Sequence, residues 1–240
     1  MELYALHVGE LFSAGDLPEL LDWVGPEKRH ELLRFMKRED MLRGLFGELM
    51  VRWQACSRLK LANSELRFKR TAYGKPYLTN SDEFHFNISH AGKWVVCALD
   101  TEPIGIDVEQ IAPIDFRVAR SFFSKQEYLD LLDKREEEQL AYFYDLWTLK
   151  ESFVKAEGHG LHIPLNLFTF RVNEAGIYFQ AEGFHTGFQC FRQYEIDEAY
   201  KCSVTAAHAG FPASVQLVSW TDLVGSLGSM LGERQSRQEC

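Results

Sequence analysis

Strand-like runs recur three times between residues 84 and 109, and they constrain the fold more than any other feature of the chain. In the first, Phe84, Phe86 and Ile88 point to one face and His85, Asn87 and Ser89 to the other. In the third, Ile104, Ile106 and Val108 oppose Gly105, Asp107 and Glu109, again with the period of two that marks a half-buried strand. Trp94–Leu99 lies between them and reads as the partner of the first, across the "HAGK" turn. Helical stripes flank this block. Leu42, Leu45, Phe46, Leu49 and Trp53 mark a helix from Glu39 to about Lys60, and a long helix covers roughly Glu136–Glu157 before Gly158 and Gly160 close it. Each half mixes strands with helices without a regular β-α-β alternation. The expected fold class is α+β, in two lobes of similar size joined near residues 100–115.

The other segments fit that frame. Leu3–Val8 reads as a strand, "SAGDLP" supplies turn residues, and Pro26 suits the first turn of a helix running to about Lys37. "YGKP" (Tyr73–Pro76) is a turn or extended loop, since a residue before proline is steered away from helix. Ser124 with Glu127 three residues on makes a capping box for a helix from about Lys125. Phe168 to Ala207 is strand-like, with "NEAG" as a hairpin turn. The boundaries so drawn are 1–105 for an N-terminal lobe, 106–225 for a C-terminal lobe, and 226–240, rich in Gly, Ser and charge, for a frayed tail.

At 240 residues the chain can bury a sizeable core. Its 35 acidic residues outnumber 26 basic ones, a net charge of −9 that argues against a nucleic-acid binder. The excess hides an asymmetry: Lys28 to Lys75 holds 13 Lys/Arg against 5 Asp/Glu. A basic segment in an acidic protein suggests a local site for an anionic small molecule, although a solvated helix face explains any single member. Cys56, Cys97, Cys190, Cys202 and Cys240 form neither a disulfide framework nor a zinc pattern, so a reducing cytoplasm is expected. No signal peptide is read, and no apolar run approaches the roughly 18–20 residues of a membrane span.

Three features could carry chemistry. Asp107 and Glu109 project from one face of a strand, where paired carboxylates repel unless a cation neutralises them. Magnesium is the natural partner; a solvated strand face is the plainer one. On the long helix Glu151 and Lys155 stand four apart, as a surface ion pair would, but Lys150 adds a second cation at the same rim. If Glu151 meets Asp107 and Glu109, the three make an oxygen site with two lysines placed for phosphate. Ser89 and His90, closing a strand, could donate to phosphate oxygens. As neighbours on a strand they point apart, and no nucleophile elbow surrounds the serine. His159 and His162 read as loop histidines.

Taken together, "FNISHAG", "IGIDVEQ", "FFSKQEY" and "LWTLKESFVKAEGHGL" resemble the Sfp-type 4′-phosphopantetheinyl transferases, in order and spacing from the first strand to about residue 222. The resemblance implies a pseudo-twofold α+β monomer with its active site in the cleft between the lobes and coenzyme A bound there. It implies magnesium, or manganese, at Asp107, Glu109 and Glu151, and coenzyme A contacts from Lys28, Lys75, Ser89, His90 and Lys155, with Arg43 a further candidate. Glu151 is the expected general base and Glu127 the second candidate, with Lys155 and His90 stabilising phosphate charge. The partner implied is an apo peptidyl or acyl carrier protein, docked near Phe122, Phe123 and the residues around Gly158–Leu165. One departure stands out: Glu31 occupies a place where members often carry a basic residue, which bears on 3′-phosphate binding. A magnesium-dependent phosphoesterase or nucleotidyltransferase, and a non-catalytic coenzyme A or carrier-binding module, are the competing readings.

Overall fold

The computed structural model describes residues 1–13, 18–181, 186–188 and 190–238; most of the "SAGDLP" turn and Cys240 lie outside them. The first half runs β1 (Glu2–His7), α1 (Pro18–Leu21), α2 (Pro26–Leu32), α3 (Arg38–Leu59), β2 (Phe68–Arg70), β3 (Pro76–Leu78), β4 (His85–Ala91) and β5 (Trp94–Asp100). The second runs β6 (Ile104–Gln110), α4 (Arg117–Phe122), α5 (Lys125–Asp133), α6 (Glu136–Glu157), β7 (Phe168–Asn173), β8 (Gly176–Ala181), β9 (Cys190–Tyr194), β10 (Tyr200–Ala206), β11 (Gln216–Val218) and α7 (Trp220–Gln238). One sheet has the order β11-β1-β5-β4 and a second the order β6-β10-β9, with β2-β3 and β7-β8 as separate hairpins. This is a two-lobed α+β fold.

Alternation explains the layers. Tyr4, Leu6, Val95, Cys97 and Leu99 face α3, whose Leu42, Leu45, Phe46 and Leu49 are buried against them. The opposite faces of β1 and β5 send Leu3, Ala5, Val96 and Ala98 against Ile104, Ile106 and Val108 of β6. That second core joins the lobes. α6 covers the other face of β6 and β10, as close as backbone allows: a Cβ on Gly105 would lie 1.9 Å from the Ser152 carbonyl oxygen. Two buried hydroxyl pairs line the seam, Thr148 with Ser203 at 2.7 Å and Ser152 with Thr205 at 2.8 Å. Gly158, at φ 75°, ends the helix in the left-handed conformation.

Two expectations need correction. The helix opened by Pro26 ends at Leu32, short of Lys37. More consequentially, the C-terminal segment is no frayed tail: β11 pairs parallel with β1, and α7 buries Leu223 and Leu227 in the core beneath α3. Residues from Gln216 on therefore complete the N-terminal lobe. Burial of one apolar stripe outweighs the weak helix propensity of Gly225 and Gly228. Among the described residues, no helix is long and apolar enough to cross a membrane.

Candidate active site

Asp107 sits where β4, β6 and α6 meet. Asn87 on β4 accepts the Ile106 backbone N–H at 2.9 Å, fixing the two strands side by side. That brings Ser89 to Asp107: its hydroxyl donates to Asp107 Oδ1 at 2.8 Å. From α6, Lys155 Nζ reaches the same Oδ1 at 2.6 Å and Ser89 Oγ at 2.8 Å. The other carboxylate oxygen, Asp107 Oδ2, is buried without a hydrogen-bond partner. An orphaned buried carboxylate oxygen is costly, and a cation is the partner it lacks.

Glu109 and Glu151 line the same cleft, of about 2190 Å³, together with His90, Lys28, Lys69 and Arg70. Burial pushes Glu109 up to about 7, helped by the charges of Asp107 and Glu151, while Lys155 and a hydrogen bond from Trp147 pull the other way. Glu151 is raised too, by burial first and then by Asp107. His90 is lowered, by burial and then by the nearby cations Lys155 and Arg43. Three carboxylates thus repel one another in partial shelter from water, with Lys155 as their counter-charge. Among the described residues no three such side chains are gathered tightly enough to hold a metal as they stand, and Lys155 pairs with Asp107 at 2.6 Å. The donor set, all carboxylate oxygen with one oxygen unpaired, still fits a hard divalent cation.

On the lining of the same cleft, Glu31 pairs with Lys28 at 3.1 Å and with Arg70 at 2.8 Å. Burial alone would raise its pKa, but the two cations hold the carboxyl below its ordinary range.

Four expected residues do not join this site. Lys75 turns away and donates to three backbone carbonyls, Ile104 at 3.1 Å, Lys155 at 2.5 Å and Ala156 at 3.1 Å, so it clamps the end of α6 to β6. Burial lowers its pKa to about 8. Arg43 is engaged by the Gly92 carbonyl at 2.6 Å and by Asp40. Glu127 is fully buried, 2.8 Å from the equally buried Lys150, and accepts backbone N–H groups of Ser124 and Phe170 at 2.7 Å each. Neither member of that pair lines the cleft, so Glu127 cannot reach an incoming hydroxyl and Lys150 adds no cation at the rim. Phe123 is core, whereas Phe122 is 41% exposed and rests edge-on against Trp147. His159 and His162 pack against Tyr73. Trp147 and Asn87 are the contributors that sequence reasoning missed. Trp147 alone carried a signal, since it stands one helical turn before Glu151 and two before Lys155.

Comparison with known proteins agrees with this geometry. Residues 13–102 match the family "4'-phosphopantetheinyl transferase, N-terminal", and residues 103–205 match the "4'-phosphopantetheinyl transferase superfamily". The 4′-phosphopantetheinyl transferase Sfp of Bacillus subtilis (strain 168) is 41% identical over 226 residues, 93% of this chain and all of that protein. The transferase psf-1 of Bacillus pumilus is 34% identical over 96% of this chain and all of its own length. The transferase gsp of Aneurinibacillus migulanus is 37% identical over 75% of each chain. Matched by these two family models along most of its length and 41% identical to a relative covered in full, the chain belongs to the 4′-phosphopantetheinyl transferase superfamily.

Proposed function

We propose that the enzyme moves the 4′-phosphopantetheine group of coenzyme A onto a serine of an apo peptidyl or acyl carrier protein, acting as a magnesium-dependent monomer in the cytoplasm. The observation that carries this reading is the split environment of Asp107: one oxygen gripped by Ser89 and Lys155, the other buried and unpaired. Asp107, Glu109 and Glu151 would hold the magnesium, or manganese, which suits the same donors. Bound there, the metal supplies charge neutralisation to the pyrophosphate as its P–O bond breaks.

The chain's own residues do the rest. Lys155 and His90 face the phosphate oxygens and offset the charge that develops on them. Ser89 holds Asp107 and Lys155 in register. The carrier serine Oγ attacks the β-phosphorus directly; the new Oγ–P bond replaces the P–O bond to the leaving 3′,5′-adenosine diphosphate. Glu151, raised by burial and then by Asp107, takes the serine proton, directly or through water. Phe122, exposed beside Trp147, offers the carrier's amphipathic helix an apolar contact next to the site.

The test is intact-mass spectrometry of apo carrier protein incubated with enzyme, coenzyme A and magnesium, with an EDTA control. A metal-dependent gain of one phosphopantetheine on the carrier serine is expected. Coenzyme A consumed without carrier modification would point to a phosphoesterase, and coenzyme A bound but unchanged to a binding module.

A further inference from the structure

His90 lines the cleft from the penultimate position of β4. The chain then turns back into β5 through two residues, Gly92 and Lys93, with Gly92 at φ 51° as so tight a hairpin requires. The carbonyl of Gly92 and the N–H of Lys93 are the two ends of one peptide group, and in a two-residue turn that group has no strand partner. Each end is held from a different lobe. Arg43, on α3, donates from Nη1 to the Gly92 carbonyl at 2.6 Å, while Nη2 pairs with Asp40 and the guanidinium faces the Phe12 ring at 5.7 Å. Tyr200, on β10, accepts the Lys93 N–H at 2.9 Å. The approach leaves no slack: a Cβ on Gly92 would lie 2.2 Å from the Tyr200 hydroxyl oxygen and 2.5 Å from Gln110 Oε1.

A hairpin tip is ordinarily among the more mobile parts of a sheet, and a side chain close to it inherits that motion. Here His90 stands two residues from a peptide group fixed at both ends. Neither Arg43 nor Tyr200 lines the cleft, so whatever they do for the reaction passes through the turn. The Arg43 fork is already committed, one arm to a backbone carbonyl and the other to a carboxylate. We propose that Arg43 is a positioning residue for the transfer: together with Tyr200 it clamps the Gly92–Lys93 peptide between the lobes and so fixes the aim of His90. The basic residue then serves the anion without touching it. The inference rests on the part given to His90 in the transfer above.

Arg43→Met keeps an unbranched stem and removes the guanidinium. Its kcat/KM for coenzyme A should fall about tenfold, the scale of a modest misplacement of a group that must meet the reacting phosphate. Tyr200→Phe, which deletes only the hydroxyl from the other lobe, should lower it about threefold. Made in a His90→Ala background, either change should cost less than about twofold, because the effect travels through the imidazole. Rates are compared per folded enzyme, with the folded fraction taken from urea unfolding. In the substrate-free enzyme the His90 Cε1–H resonance, assigned by its absence from His90→Ala, should shift in Arg43→Met, while those of His159 and His162 stay in place. A loss of equal size with and without His90 means that Arg43 meets the substrate itself or merely holds its lobe together, and overturns the proposal; so does an unmoved His90 resonance. His90→Ala with wild-type turnover, or a wild type that modifies no carrier, defeats instead the reading on which the proposal rests.

Discussion

Asp107, Glu109 and Glu151 are three carboxylates sharing one lysine, and burial, reinforced by their mutual repulsion, raises the pKa of Glu109 and Glu151. Glu109 responds most clearly. Its folded pKa, about 7, lies above the unfolded value of 4.5, so the native state holds the proton longer. The stability this contributes is complete below pH 4.5 and is lost as pH rises towards 7. In EDTA, wild-type stability should therefore fall across that window, measured by urea unfolding. Glu109→Gln should flatten the fall and leave the variant more stable by ~2 kcal/mol at pH 8, less than the full shift implies because water reaches the cleft. A parallel pH dependence in both proteins would remove Glu109 from this role. Glu151→Ala should abolish transfer while unfolding at an unchanged urea midpoint or a higher one; retained wild-type turnover would take Glu151 out of the chemistry. The strand period made Asp107 and Glu109 legible as neighbours, and helical spacing did the same for Glu151 and Lys155. Lys150 misled because adjacency in sequence is about 100° of rotation on a helix, enough to send its amine into the C-terminal core with Glu127.

β6 and α6 are the elements that bring Asp107, Glu109, Glu151 and Lys155 together, and their contact depends on Gly105. With a Cβ 1.9 Å from the Ser152 carbonyl oxygen and 2.5 Å from the Ala156 nitrogen, an alanine there must push backbone from backbone. No flexible side chain can absorb the clash. Gly105→Ala should cost about 3 kcal/mol or more in urea unfolding, beyond the 1–3 kcal/mol typical of overpacking. Because the displacement separates Asp107 from Lys155, kcat should fall further than the population of folded enzyme does. The same substitution at Gly74, where a Cβ meets nothing within 4 Å, is the contrast for crowding alone, since its φ of +88° adds backbone strain of its own. Sequence alone showed the glycine on the carboxylate face of the strand, but not the helix that needed it. Lys75 escaped for a similar reason. A lysine in a loop reads as an anion contact, and only the packed structure reveals two carbonyls at the end of α6 and one on β6 waiting for its protons.

At the scale of the whole molecule, each lobe supplies half of the site: Lys28, Ser89 and His90 come from the first, Asp107, Glu109, Glu151 and Lys155 from the second. The cleft therefore exists only while both lobes are folded and joined. The chain itself links their fates, because it leaves the second lobe after β10 and returns to finish the first with β11 and α7. The Gly- and Ser-rich composition of that segment hides its role; Leu223 and Leu227, four apart, are the apolar stripe that discloses it once a partner surface is known. Leu227, with none of its surface exposed, packs into the same core as Leu20, Val24 and the α3 stripe. Leu227→Ala should then destabilise the protein by about 2–5 kcal/mol, as a buried leucine does. The thermal midpoint of transferase activity should fall together with the unfolding midpoint, although the residue lies outside the cleft. A chain ending at Val218 should lose the stable N-terminal lobe and, with it, binding of 3′,5′-adenosine diphosphate measured calorimetrically. Wild-type stability in both variants would mean that α7 merely rests on the surface, and that the lobe is complete without it.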